Sequence, residues 1–262
     1  MPIHSAMPPL AFLKFIVRSC LPDPWFRRVE IGYRRARHFG TRRYCPVCGS
    51  HLRAFVAHHD DPARQFDSLC PVCGCKSPHR CLWICIQNYC RRTPKPRRLL
   101  HIAPEPHLGA RLASLPNVEY VSGDLSEGVG QIQFDICNLP FDDGSFDLIC
   151  CCHVLMMLPD DAPAIREMFR VLRPGGVAVI ENPVASGQAT IEPATEGERR
   201  RLFYDDTILR LYGDDYRSRL SAAGFVVEDA DPAASLTLAR GERMELYSGI
   251  VMLSLKPEKS PQ

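Results

Sequence analysis

The sequence predicts an α/β protein: a doubly wound, mostly parallel sheet, with a small helical, cysteine-bearing module ahead of it. Three observations predict it. Residues 146–152 (Phe-Asp-Leu-Ile-Cys-Cys-Cys) form an almost unbroken apolar run, as a parallel strand buried on both faces requires. A helix over 162–172 follows, with Ile165, Met168, Phe169 and Leu172 on one face, and residues 177–180 restart an apolar strand. Strand, helix and strand in that order make a right-handed crossover. The third observation is a pair of identical stretches, Cys-Pro-Val-Cys-Gly, at 45–49 and 70–74.

Taken in order, residues 1–44 read as a basic helical segment. Leu10, Phe12, Leu13, Ile16 and Val17 give it an apolar stripe, and Arg27, Arg28, Arg34, Arg35, Arg37, Arg42 and Arg43 give it charge. The stripe is short and interrupted by Lys14, so it reads as a packing helix and not a signal peptide. No run approaches the ~20 apolar residues of a membrane span. Residues 45–90 form the cysteine module, with a short strand around Leu52, Phe55 and Val56 and a helix over 78–89. Residues 91–98 are a basic linker kept extended by Pro94 and Pro96.

The α/β domain spans 99–255. Its first strand is 99–103, followed by the turn Pro104-Glu105-Pro106-His107 and a helix over 108–115. The second strand is 118–121, with Asp124 after it, and Asp135 ends the third. Residues 142–145 (Asp-Asp-Gly-Ser) are turn chemistry. Asp160 or Asp161 caps the crossover helix, and Pro174-Gly175-Gly176 ends it. The polar loop 185–198 is a substrate lid or a mobile connector. A late helix over 204–223, a strand over 225–227 and a final antiparallel strand over 246–255 complete the domain, and residues 256–262 form a disordered tail.

Thirteen cysteines in a chain without a leader argue for a reducing, cytoplasmic setting and for metal. Each Cys-x-x-Cys puts two thiolates on one tight turn, and the following Gly lets the backbone fold back. Cys45, Cys48, Cys70 and Cys73 therefore predict a closed, four-sulfur, structural zinc site in place of a redox pair or disulfides. Cys75, His79 and Cys81 could substitute as ligands, while Cys85 and the 150–152 triplet read as buried small hydrophobes. Charge is unevenly placed. Residues 1–98 hold 18 Lys/Arg against 5 Asp/Glu, and residues 99–262 hold 14 against 25. Either the basic half meets an acidic partner such as nucleic acid, or the two halves dock on each other.

The stretch 135–176 closely resembles the class I S-adenosylmethionine-dependent methyltransferases, of the type 11-like group. The pattern is Asp135, Leu139-Pro140-Phe141, Ser145-Phe146-Asp147, His153-Val154-Leu155, Glu167 and Arg170-Val171-Leu172-Arg173-Pro174-Gly175-Gly176. The turn after the first strand lacks the glycines typical of that family. It is similar, however, to a subset of bacterial members with Ala-Pro-Glu in this turn and a double-cysteine knuckle upstream, which extends the resemblance over residues 45–225. The resemblance implies a Rossmann-like, seven-stranded sheet and S-adenosylmethionine as cofactor. It implies that Ala103 lines the cofactor pocket, Glu105 lies near the cofactor's amino group, Asp124 with Leu125 receives the ribose, and Asp135 with Ile136 receives the adenine. It also makes His153, at the switch point of the sheet, the leading polar residue to touch methyl donor or acceptor. Where family members often continue with Glu-His, this chain has Met156-Met157. Tyr204 and Tyr212 are further candidates near the mouth.

Three functions fit. The first is a methyltransferase acting on a small-molecule or glycan/lipid-linked acceptor. The second is an RNA base methyltransferase using the basic zinc module, less favoured because few aromatics stand among the arginines to stack bases. The third is a non-enzymatic zinc-ribbon interaction protein with a degenerate cofactor fold.

Overall fold

The computed structural model describes residues 23–57, 68–92, 95, 97–203, 207–230, 232, 244, 246 and 251–258. The apolar stripe at 10–17, Tyr204, residues 247–250 of the expected last strand and most of the expected disordered tail lie outside them.

Helix α1 (Asp23–His38) leads into the antiparallel pair β1 (Phe39–Cys45) and β2 (Ser50–Leu52). The strand expected around Phe55 and Val56 instead ends at Leu52, and Val56 makes only an isolated bridge to Leu69. Helix α2 (Ser77–Arg92) then crosses to the sheet. It is longer than the expected 78–89, and β3 (Arg97–Ile102) starts two residues earlier than expected, so little chain connects them.

The main sheet has seven strands in the order β5-β4-β3-β6-β7-β9-β8, with β4 (Val118–Asp124), β5 (Ile132–Gln133), β6 (Phe146–Cys152), β7 (Leu172–Glu181), β8 (Val226–Ala230) and β9 (Val251–Leu255). Strands β3 to β7 run parallel, and β9 is antiparallel to both β7 and β8. This is the doubly wound, Rossmann-like, seven-stranded sheet the sequence predicts. Side chains alternate along each strand. Leu148, Cys150 and Cys152 of β6 face α2 and α3 (Pro106–Leu112), whereas Ile149 and Cys151 face α4 (Ala162–Val171) and α6 (Tyr216–Ala222); Phe146, ahead of a register shift at the start of β6, joins the second cluster. Helix α2 is thus a layer of the α/β domain as well as the exit from the cysteine module: Leu82, Trp83 and Ile86 share a buried cluster with Leu99, Leu148 and Val177.

Two helix limits differ from expectation for local reasons. Helix α4 ends at Val171, because Leu172 is already extended (φ −78°, ψ 137°) and pairs with Phe146, so the Pro-Gly-Gly lies within β7. The N-cap of α4 is Asp161, which makes no side-chain cap bond, and Asp160 ahead of it accepts the Ala162 N–H at 3.0 Å. The late helix expected over 204–223 is broken. Helix α5 (Glu196–Phe203) and α6 flank a segment in which Leu211 and Tyr212 bridge Ile191 and Val184. The loop at 185–198 is correspondingly anchored: Asp215 accepts both the N–H and the hydroxyl of Thr190 at 2.7 Å.

Candidate functional site

The cysteine module is built as its spacing predicts. The Gly49 N–H donates to the Cys45 carbonyl and the Gly74 N–H to the Cys70 carbonyl, each at 2.8 Å. Both glycines take a left-handed φ, 71° and 79°, which a Cβ would strain. Cys48 Sγ lies 3.7 Å from Cys70 Sγ, and Cys45 Sγ lies 3.8 Å from Cys73 Sγ. Four sulfurs ~2.3 Å from a tetrahedral centre are about 3.8 Å apart, so this cluster of four cysteines is compatible with zinc. Cys75 Sγ approaches Cys45 Sγ to 3.3 Å, closer than two ligands of one tetrahedron. The fully buried Arg80 ties the second knuckle to α2, donating to the carbonyls of Ser68 and Cys75 and stacking 4.0 Å from the Phe55 ring centroid.

The charged residues of the 139–173 motif form a brace. Arg170 donates to the carbonyls of Leu139 and Phe141 and pairs with Glu167 and Asp143, and Glu167 accepts the Leu139 N–H. Asp147 accepts the Arg98 N–H and pairs with Arg173. These side chains hold the turn before β6 against α4, away from the carboxyl ends of the strands. Arg98 also pairs with Glu119 at 2.9 Å, and Arg97 is buried with its guanidinium 5.1 Å from the Tyr89 ring. A cavity of about 450 Å³ beside them opens at the amino ends of β3, β4 and β6.

The opposite edge carries the other predicted site residues. The strand order reverses between β3 and β6, and open parallel sheets bind ligands in that crevice. Ala103 ends β3 in a left-handed conformation (φ 50°), its N–H bonded to the Gly123 carbonyl at 2.9 Å. Asp124 ends β4, and its carboxylate accepts the Ser126 N–H; Leu125 beside it is exposed. Asp135 follows β5 and accepts the Cys137 N–H, with Ile136 buried. Across the crevice His153 ends β6, also left-handed (φ 54°). The turn between Ala103 and α3 has no N–H at Pro104 or Pro106, so a side chain dominates it. The Glu105 carboxylate lies 3.1 Å from His101 Nε2 and 3.4 Å from His79 Nε2. Burial works to raise its pKa, but the His101 hydrogen bond and the adjoining imidazoles hold it down, at about 2. His101 Nδ1 meets the Tyr120 hydroxyl at 3.0 Å, and Gly109 leaves the room: a Cβ there would lie 2.7 Å from that hydroxyl.

Several of these groups were not legible as site residues. Glu181, buried at the end of β7, lies 2.8 Å from His153 Nε2 and accepts the Cys152 thiol at 3.6 Å. Only the pairing of Cys152 with Glu181 across two strands reveals it. His79 is contributed by α2, and nothing local to it signals the crevice. Burial pushes its imidazole down to about 3, against the pull of Glu105. Tyr212, expected near the mouth, is fully buried and donates to Asp161 at 2.7 Å, so it is no candidate base.

Residues 111–180 match the family described as "Methyltransferase domain". Demethylmenaquinone methyltransferase of Staphylococcus epidermidis is 42% identical over 69 residues, 26% of this chain and 24% of that protein. The Staphylococcus aureus enzyme of the same name is 41% identical over the same share. The chain thus spans about a quarter of the length of the curated relatives it matches. Among solved structures, the YcgJ protein of Bacillus subtilis is 17% identical, with 68% of this chain and 99% of that one covered at a TM-score of 0.45. No helix among the described residues is long and apolar enough to cross a membrane. Residues 111–180, which carry most of the motif at 135–176, thus match the methyltransferase-domain family, and they lie in a doubly wound, seven-stranded sheet.

Proposed function

We propose that the chain transfers a methyl group from S-adenosylmethionine to a small-molecule or glycan/lipid-linked acceptor, in a reducing cytoplasm. Residues 45–90 serve as a structural zinc module and residues 99–255 as the transferase domain. The observation that carries this reading is the His153–Glu181 pair at the switch point of a methyltransferase sheet. A buried carboxylate 2.8 Å from an imidazole nitrogen steadies the charge the ring gains when it takes a proton, as a general base needs.

The residues at the crevice suit the cofactor. Ala103 presents backbone where the turn leaves the strand. The carboxylates of Asp124 and Asp135 each receive one backbone N–H, which leaves lone pairs for the ribose hydroxyls and the adenine amino group. Glu105 is ionised and one-fifth exposed, suited to an ammonium. When bound, the cofactor supplies a sulfonium methyl that is already electrophilic, so the protein's work is alignment and exclusion of water. His153 takes the proton of an acceptor hydroxyl or amine, with Glu181 steadying the imidazolium. Leu155 and Met156, both buried, wall that side against solvent. The curated relatives' name, demethylmenaquinone methyltransferase, supports an apolar small-molecule acceptor, and the pairing of Arg98 within the domain supports docking over RNA contact.

Calorimetry with S-adenosylmethionine tests the cofactor. Asp124→Ala is expected to weaken binding by roughly 1.5–3 kcal/mol, the worth of a hydrogen bond to a charged acceptor. A flat titration of the zinc-loaded wild type returns the chain to a non-enzymatic role. For the base, labelled methyl transfer is measured across a panel of quinols, phenols and glycans. His153→Asn is expected to lower the rate on the best acceptor by about 10²–10⁴-fold, with Glu181→Gln in the same direction. Wild-type rates in His153→Asn leave the dyad without a catalytic role.

A further inference from the structure

We propose that His79 is a positioning residue of the cofactor crevice: the cysteine module reaches into the α/β domain and holds the Glu105 carboxylate through an imidazole. The inference rests on the reading of Glu105 as the acceptor for the cofactor's amino group.

The prolines at 104 and 106 remove two backbone donors from the turn that in related sheets approaches the ligand through main-chain atoms. Recognition there passes to the Glu105 side chain, which is useful only if it is held. An ionised carboxylate is acceptor-only, so its neighbours must donate. Two imidazoles face it, one from each unit. His101 Nε2 meets Oε2 at 3.1 Å, and His101 is itself fixed by the β3 ladder and by Tyr120. His79 Nε2 meets Oε1 at 3.4 Å. The proton position on His79 follows from its other nitrogen. The Lys76 backbone N–H, an obligatory donor, points at Nδ1 from 3.2 Å, and His107 Nε2 lies 2.6 Å from the same atom. Nδ1 is therefore the acceptor, and the proton sits on Nε2, facing Glu105.

That tautomer also decides between two readings of the cluster. His79, Glu105 and Cys152 place their ligand atoms within 4.8 Å of one another, close enough for a metal ion. A metal needs the Nε2 lone pair, which would force a proton onto Nδ1 against the Lys76 amide. His79 acts as a donor to Glu105, and the knuckles and the crevice become one functional unit joined by α2.

The test is calorimetry with two ligands: S-adenosylhomocysteine, which carries the amino-acid moiety, and 5′-methylthioadenosine, which lacks it. His79→Ala is expected to weaken the first by roughly tenfold or more and leave the second within about twofold. His79→Gln, whose carboxamide can still donate, is expected to recover most of the loss, and Glu105→Gln to reproduce it. Equal weakening of both ligands by His79→Ala, or no weakening, overturns the positioning role while Glu105→Gln still weakens the first ligand. A wild type that binds neither ligand, or a Glu105→Gln that leaves S-adenosylhomocysteine binding unchanged, removes the reading of Glu105 and the proposal with it. Thermal unfolding and zinc content of each variant separate these outcomes from misfolding.

Discussion

Removing the metal from the knuckles is expected to unfold the amino-terminal module and strip one face of the main sheet. Purified protein is expected to hold one zinc per chain, and Cys48→Ser or a strong chelator to release it. Four thiols brought to within 4.8 Å become thiolates only around a cation; without it they stay protonated, and no metal–sulfur bond holds the two turns together. Apparent free energies of structural zinc binding reach ~10–16 kcal/mol in small fingers, so loss of one ligand outweighs any single packing contact in the module. The damage does not stop there. Arg80 ties the second knuckle to α2, and α2 buries Leu82, Trp83 and Ile86 against the sheet. A fall of roughly 10 °C or more in the thermal midpoint is expected, corresponding to several kcal/mol in a chain of this size. Absence of stoichiometric zinc in the wild type, or full zinc retention by Cys48→Ser, contradicts the four-sulfur site.

The second large effect is acid destabilisation centred on His79. Unfolded, its imidazole takes a proton near pH 6.5; folded, burial delays protonation to about pH 3. Between those values the unfolded chain binds more protons than the native one, so stability falls as the pH falls. Full separation of the two pKa values is worth on the order of 5 kcal/mol. Glu105 adds to the lower part of the window. Its depressed pKa contributes stability above the ordinary carboxylate range, and that stability is lost as the pH drops toward about 2. Denaturant midpoints measured from pH 7 to pH 4 are expected to fall steeply in the wild type and less so in His79→Gln, which has no proton to gain. Parallel slopes in the two proteins would place the acid lability elsewhere, in the thiolates or the surface carboxylates.

The sequence by itself determined the elements whose physics is local. The apolar run at 146–152 had to be buried on both faces, so a central parallel strand followed from composition. The two knuckles followed from spacing and from glycines that turn with a positive φ. The brace of Glu167 and Arg170 was visible as a motif, although its purpose, holding the 139–147 turn, was not. Helix limits slipped where tertiary pairing overrode propensity: Leu172 joined β7 before the Pro-Gly-Gly, and the bridges of Leu211 and Tyr212 broke the expected late helix.

Only the tertiary structure decided how the polar side chains converge. Glu181 meets His153 because β6 and β7 are in register at Cys152. His79 meets Glu105 because α2 packs on the face of the sheet from which α3 springs. Tyr212, polar and apparently available, is buried against Asp161. Periodicity and spacing encode which residues are buried and how a turn closes, because those depend on neighbours a few positions away. The meeting of residues far apart in the chain depends on strand register and on which layer covers which face, and no short stretch of sequence specifies either.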